Sequence, residues 1–372
     1  MVFANYTARS PFDAHKRVHT AHAECIAYFD ELADYKIDLM KRGNAVNDLT
    51  MDLMAPMIKA TQVSPEDPNA LYLTRKEVIA DSWLLLFAGH ETTANTLHYT
   101  LVYLATNLVT QNEVHSEVDT ILGERSQDSW TYEKDMGLLY NSLLGACFSE
   151  TLRLIPPVLM IPKWTASSAQ TVTLKGTQHV LPAETMIHAD ACGVMRNPKY
   201  WPHSPSKITG SIHDMNDFVP QRWFTHGNSK LATRNDTKTT DAQEEDIDGL
   251  EKASFESTLH SKMYVPPKGT YLPFADGPRA CPGRRFAQVE LTAVLSSLLK
   301  MYTFELDVSK HASDEEVERM GKEERKELYQ KAAREALQEI DDSVSIIAVR
   351  LVKPIPLRIV RRGEERFMGC FV

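Results

Sequence analysis

The sequence predicts a mainly α protein with a minor β part. Three observations predict it. A capping-box pattern, Thr74-Arg-Lys-Glu77, opens a long apolar run from Val78 to Leu104. Other stretches on both sides carry helical apolar spacing. Short β-type runs, Thr171 to Leu174 and Thr185 to Ala189, fall in one stretch broken by Gly176 and Pro182. The composition agrees. A chain of 372 residues, 43% apolar and 24% charged, has the mix of an ordinary globular protein. A net charge of −9 leaves no basic footprint for nucleic acid. The longest apolar stretches, such as Trp83 to Gly89, fall far short of the roughly 20 residues that span a bilayer. Met1 to Arg9 lacks the apolar core of a signal peptide.

Taken in order, Ala21 to Arg42 places Ile26, Phe29, Leu32, Ala33, Ile37 and Met40 on one helical face and stops at Gly43. Asp48 to Ala60 reads as a second helix, followed by a loop with Pro65 and Pro68. The long helix from Thr74 is interrupted by Gly89-His-Glu-Thr-Thr93. Glu113 to Leu122 ends at Gly123, and Leu138 to Leu154 ends at Pro156-Pro157. Tyr200 to Pro273 is mostly loop, with an acidic insert near 236–252. Gly283 to Tyr302 is a helix with Phe286, Val289, Val294 and Leu298 on its apolar face. A charged helical insert near 310–342 carries Glu315/Arg319 and Glu327/Lys331 at i,i+4 spacing. Ser343 to Val360 alternates like a terminal hairpin. The expected organisation is a leading helical region, 1–73, and a core, 74–372.

The five cysteines, Cys25, Cys147, Cys192, Cys281 and Cys370, are odd in number and widely spaced. They form neither a zinc pattern nor a disulfide framework. Most read as small buried hydrophobes. Cys281 differs, because it lies in Phe274-Ala-Asp-Gly277-Pro-Arg279-Ala-Cys281-Pro-Gly283. Pro282 favours the first helical position, which would place Cys281 at the N-cap. There the helix dipole would favour a thiolate. Gly277 permits a turn, Gly283 permits a flat ligand to approach, and Arg279 is placed to meet an anionic group on it. A plain Gly/Pro loop around a buried cysteine is the alternative.

Two further clusters are locally unfavourable, as functional or locked sites are. Gly89 in a helix interior costs about 1 kcal/mol relative to Ala, and Glu91, Thr92 and Thr93 need hydrogen-bond partners if buried. A helix bend with satisfied polar groups is the other reading. Glu150 and Arg153 sit three apart among Leu143, Leu144, Cys147, Leu152 and Leu154, so they are expected to be buried and to need partners. Pro220-Gln-Arg222-Trp223 supplies an arginine on a rigid loop.

The spacing Phe-x-x-Gly-x-Arg-x-Cys-x-Gly resembles the heme-binding signature of the cytochrome P450 superfamily, whose heme iron is held by a cysteine thiolate. Ala88-Gly89-His90-Glu91-Thr92-Thr93 resembles its oxygen-activation motif. Glu150, Arg153 and Arg222 resemble its structural triad, with Trp223 in place of the usual Phe. The motifs stand in the family's order over roughly residues 44–362. The resemblance implies heme b ligated by Cys281, with Gly89, Lys163, Phe274, Gly277, Arg279, Gly283 and Ala287 around it. It implies Glu91 and Thr92 as the proton-handling pair, and Val158, Leu159, Met160 and Ile161 as substrate contacts. For Lys163 an exposed lysine at a strand end is the competing reading. The implied function is a heme-dependent monooxygenase acting on a hydrophobic small molecule. It would use O2 and electrons from an NADPH-dependent cytochrome P450 reductase, at the endoplasmic reticulum membrane. Only 73 residues precede the oxygen-activation helix, so the chain is expected to correspond to the C-terminal portion of the cytochrome P450 fold. A truncated, non-catalytic heme-binding remnant is therefore the alternative. A heme-thiolate isomerase is disfavoured by the intact Glu91-Thr92 pair.

Overall fold

The computed structural model describes residues 12–41, 53–61, 72–224, 263–346 and 348–372. The acidic stretch near 236–252 and the loop with Pro65 and Pro68 lie outside the described residues. The chain divides into two compact units, 1–91 and 92–372, at a point inside one long helix. It is mainly α with a few small sheets, as expected.

In the first unit, α1 (Asp13–Lys41) begins eight residues before the apolar pattern that signals it, with Asp13 in its first turn. Phe29 and Ala33 pack against Met54 and Ile58 of α2 (Met54–Ala60) and against Val78 and Ile79. Those last two belong to α3 (Arg75–Thr106). Arg75 reaches across to Asp30 and Asp34, both at 2.8 Å. The capping box of α3 forms as its sequence predicts. Thr74 N and Oγ1 donate to Glu77 Oε2 at 2.7 and 2.8 Å, and Glu77 N donates back to Thr74 Oγ1 at 3.3 Å. The helix runs unbroken through Gly89-His-Glu-Thr-Thr93.

The second unit is centred on α6 (Leu143–Leu154), every residue of which is buried. Around it pack α4 (Leu108–Leu122), α5 (Gly137–Tyr140) and α8 (Arg284–Met301). The expected single helix from 138 to 154 is two helices. Asn141 Nδ2 donates to Gly137 O, Ser142 Oγ donates to Leu139 O, and Ser142 Oγ caps Leu144 N, so side chains take over the backbone's partners. Gly145 makes the tight junction possible: a Cβ there would lie 1.7 Å from the Tyr140 carbonyl oxygen.

The buried face of α8 is Gln288, Leu291, Thr292, Leu295, Ser296 and Leu299, whereas Phe286 is 58% exposed. Half of that stripe is polar, which hides it from an apolar-spacing search. Its polar members take protein partners: Gln288 Nε2 donates to Tyr140 Oη at 2.8 Å, Thr292 Oγ1 to Gln288 O at 2.7 Å and Ser296 Oγ to Ala293 O at 3.0 Å.

Among the described residues, four two-stranded antiparallel sheets belong to this unit. β1 (Met160–Trp164) pairs with β4 (Met186–Asp190), and β2 (Gln170–Leu174) with β3 (Thr177–Leu181). A short helix, α7 (Ala191–Met195), follows β4. After α8 comes β5 (Tyr302–Leu306), then two helices in the charged segment, α9 (Asp314–Arg319) and α10 (Lys322–Asp341). α10 is more than a solvated rod. It buries Tyr329, Ala332, Ala336 and Ile340 on one stripe, and Tyr329 Oη donates to Ala105 O while accepting from Leu306 N. Its ion pairs reach other parts of the chain, such as Lys310–Glu335 and Lys353–Glu339.

The expected terminal hairpin is instead two separate pairings. β6 (Val344–Ser345) joins β7 (Val349–Arg350), and β8 (Leu357–Arg361) pairs with β5, Tyr302 opposite Arg361. Asp119 on α4 fastens this end by pairing with Lys300 at 2.8 Å and Arg362 at 2.7 Å. Their hydrogen bonds hold its carboxyl down to about 2.

Candidate functional site

The loop from Phe274 to Gly283 is closed by two backbone hydrogen bonds, Cys281 N to Phe274 O and Ala280 N to Gly277 O, both 2.9 Å. Gly277 sits at φ +79°, a left-handed turn that favours glycine. Helix α8 is capped by Gly283, with no side-chain cap. Cys281 is therefore two residues outside the cap, not at it. Pro282 lies just before the cap, and the Cys281 carbonyl accepts a long bond from Arg284 N, 3.4 Å. The first regular helical bond runs from Ala287 N to Gly283 O at 2.9 Å.

Cys281 presents a free, exposed thiol, whereas Cys147 and Cys370 are buried and Cys25 and Cys192 half-buried. Burial drives the Cys147 thiol well above its ordinary range, which makes it inert. Cysteine is among the most buried residue types. A cysteine fixed on a closed loop yet turned outward therefore fits a soft donor for a metal ligated from outside the protein fold. Arg279 and Gly277 are exposed on the same loop. Phe274 is half-buried on the core and lies under the Arg284 guanidinium, 5.9 Å from its ring centroid. The donor set and the open loop fit a flat, anionic, iron-bearing group.

Glu150, Arg153 and Arg222 come together, fully buried. Glu150 Oε1 accepts from Arg153 Nη2 and Arg222 Nε at 2.8 Å and from Val219 N at 3.2 Å. Oε2 accepts from Arg153 Nε at 2.8 Å and Trp223 Nε1 at 3.1 Å. Burial alone would raise the Glu150 pKa. The two arginines outweigh it and hold the carboxyl below its usual range. Arg153 also donates to the Met195 and Met215 carbonyls, and Arg222 to Pro202 O and Asp214. The triad thus ties α6 to α7 and to the 201–223 segment. Spacing within the sequence did not reveal Asp214 or the Trp223 indole as partners. Trp201, Trp223, Tyr264 and Tyr271 form an edge-on cluster around it, and Tyr271 Oη donates to Ser149 O.

In the first unit Gly89 and His90 are exposed and Glu91 is half-buried. A Cβ at Gly89 would meet nothing within 4 Å. In the second unit Thr92 is half-buried, and its carbonyl accepts from Thr96 Oγ1 at 2.8 Å. Lys163 is exposed on β1 opposite Ile187. Val158 and Met160 are exposed, Ile161 is half-buried, and Leu159 leans onto the core. Among the described residues no group of three or more His, Cys, Asp or Glu is arranged to hold a metal ion. No described helix is long and apolar enough to cross a membrane.

The family profile of cytochrome P450 matches residues 6–223 and 260–329, well over half of the chain. A cytochrome P450 monooxygenase of Arthrobotrys oligospora is 30% identical over 288 residues, 74% of this chain and 44% of that protein. A cytochrome P450 monooxygenase of the phomenoic acid biosynthesis cluster of Leptosphaeria maculans is 25% identical over 74% of this chain and 42% of its own length. Thromboxane-A synthase of Sus scrofa is 26% identical over 72% and 42%. The chain spans less than half the length of these curated relatives.

Proposed function

The chain belongs to the cytochrome P450 family, and from that premise we propose that it is the heme-thiolate part of a monooxygenase. In this reading it inserts one oxygen atom from O2 into an apolar organic substrate. The other atom leaves as water, with two electrons from NADPH through a reductase partner and two protons. The observation that carries it is Cys281: a free, exposed thiol on a hydrogen-bond-closed loop whose sequence resembles the family's heme-binding signature.

Cys281 would be the axial ligand of heme b, and Arg279 would meet a propionate, with Lys163 as a second cation. Phe274, Gly277, Gly283, Ala287 and Gly89 would border the flat group. Heme so ligated supplies O2 activation, since a thiolate ligand favours O–O cleavage. Glu91 would hold and pass a proton, and the Thr92 hydroxyl would hand it on. Val158, Leu159, Met160 and Ile161 would line the substrate. The triad residues Glu150, Arg153 and Arg222 hold the fold.

The test is NADPH-dependent O2 uptake by the heme-reconstituted chain with a reductase, together with 18O transfer from O2 into an apolar substrate. Uptake that falls in Thr92→Ala supports the proposal. Heme binding through Cys281 without any uptake favours the second reading, a heme-binding chain that does not turn over. That reading draws on the share of the relatives' length, 44% and 42%, that is matched here.

A further inference from the structure

Position 223 carries Trp where the triad pattern described above has Phe, and the structure shows what the indole adds. Each carboxylate oxygen offers about two lone-pair sites. Glu150 Oε1 already receives three donors, whereas Oε2 receives one from Arg153 and one from Trp223. Glu150 is fully buried, so no solvent replaces a missing donor. The same tryptophan also holds the chain that leads to the cysteine loop. Its carbonyl accepts from Tyr264 N, and its ring meets Tyr271 edge-on, centroids 5.2 Å apart. Tyr271 in turn is anchored to Ser149 O, beside Glu150, three residues before Phe274 opens the loop.

We propose that Trp223 is a positioning residue that completes the donor set of Glu150 and, through Tyr271, sets the root of the loop bearing Cys281. The charged and titratable groups that face Glu150 are known. Arg153 and Cys147 lie on its own helix, Arg222 and Asp214 on the 201–223 segment, Tyr103 on α3 and Tyr271 before the loop. Burial raises the pKa of Cys147, Tyr103 and Tyr271 away from the acid range.

Glu150 is held below its ordinary pKa in the folded chain. Its contribution is therefore present above the unfolded value and is lost as pH falls through the folded one. Removing a donor raises the folded value, so the loss begins at higher pH.

The experiment compares Trp223→Phe with Trp201→Phe in the full chain. Both substitutions remove one buried indole from the same cluster, and Trp201 Nε1 has no hydrogen-bond partner among the described residues. Acid unfolding followed by circular dichroism is expected to move to higher pH in Trp223→Phe, by on the order of half a pH unit. It is expected to stay in place in Trp201→Phe. Equal midpoints in the two variants overturn the proposal. Should Trp223→Phe give no folded chain, 15N-tryptophan spectra of the unsubstituted chain decide. A Trp223 indole proton well downfield of that of Trp201 supports donation to the carboxylate, and coincident positions overturn it.

Discussion

Removing the carboxylate of Glu150 tests the organisation of the second unit. In Glu150→Ala, Arg153 keeps only two carbonyl acceptors, Met195 O and Met215 O, and no anion. Arg222 keeps Asp214, 3.2 Å away. A fully buried guanidinium is therefore left uncompensated, together with unpaired donors at Val219 N and Trp223 Nε1. Breaking a buried ion pair from one side costs about 3–5 kcal/mol. For a unit of this size that lowers Tm by roughly 6–20 °C. The assay is thermal unfolding at neutral pH, repeated down to pH 3. The unsubstituted chain should lose the Glu150 contribution as pH falls below the ordinary carboxylate range, because the folded pKa is depressed. The variant should lack that part of the profile, and its heme content after reconstitution should be low. A Tm drop under about 2 °C, against the 3–5 kcal/mol expected, or a normal heme content, would refute the reasoning.

Three other substitutions probe separate joints. Gly145→Ala should destabilise by about 1–3 kcal/mol in denaturant titration, because its Cβ meets the Tyr140 carbonyl at 1.7 Å and α5 and α6 would have to separate. An unchanged midpoint would mean that the junction is looser than described. Tyr329→Phe leaves Leu306 N and Ala105 O without their buried partner. It should cost about 1–3 kcal/mol, and no loss would show that α10 is not docked through this hydroxyl. Asp119→Asn removes a carboxyl held at about 2, so the acid limb between pH 4 and 2 should flatten. Because Asp119 is partly exposed the effect should stay under about 1 kcal/mol and shrink with salt, and a salt-independent loss would argue against the pairing.

Much of this was legible in the sequence where one residue type has one physical use. Thr74 and Glu77 announced a capping box, and Glu150 and Arg153 on an apolar helix announced a buried pair. The loop around Cys281 was legible because glycine, proline, arginine and cysteine there are all costly choices for a plain turn. Other features were hidden because tertiary partners decide them. The inner face of α8 is half polar and becomes a core face only once Tyr140 accepts from Gln288. Tyr329 disappears in a charged run, although it is the residue that fixes that run to Ala105 and Leu306. β8 alternates like half of a hairpin, and only its register with β5 shows otherwise. Nothing in the sequence around Trp223 marks its indole N–H as a donor to Glu150.

The central claim is that Cys281, the outward thiol of the closed loop, ligates heme iron. The carbon monoxide difference spectrum of the reduced, heme-reconstituted chain tests it most directly. A thiolate-type Soret band in the unsubstituted chain, lost in Cys281→Ser, is the predicted result. Absence of that band, or its survival in Cys281→Ser, would contradict the account.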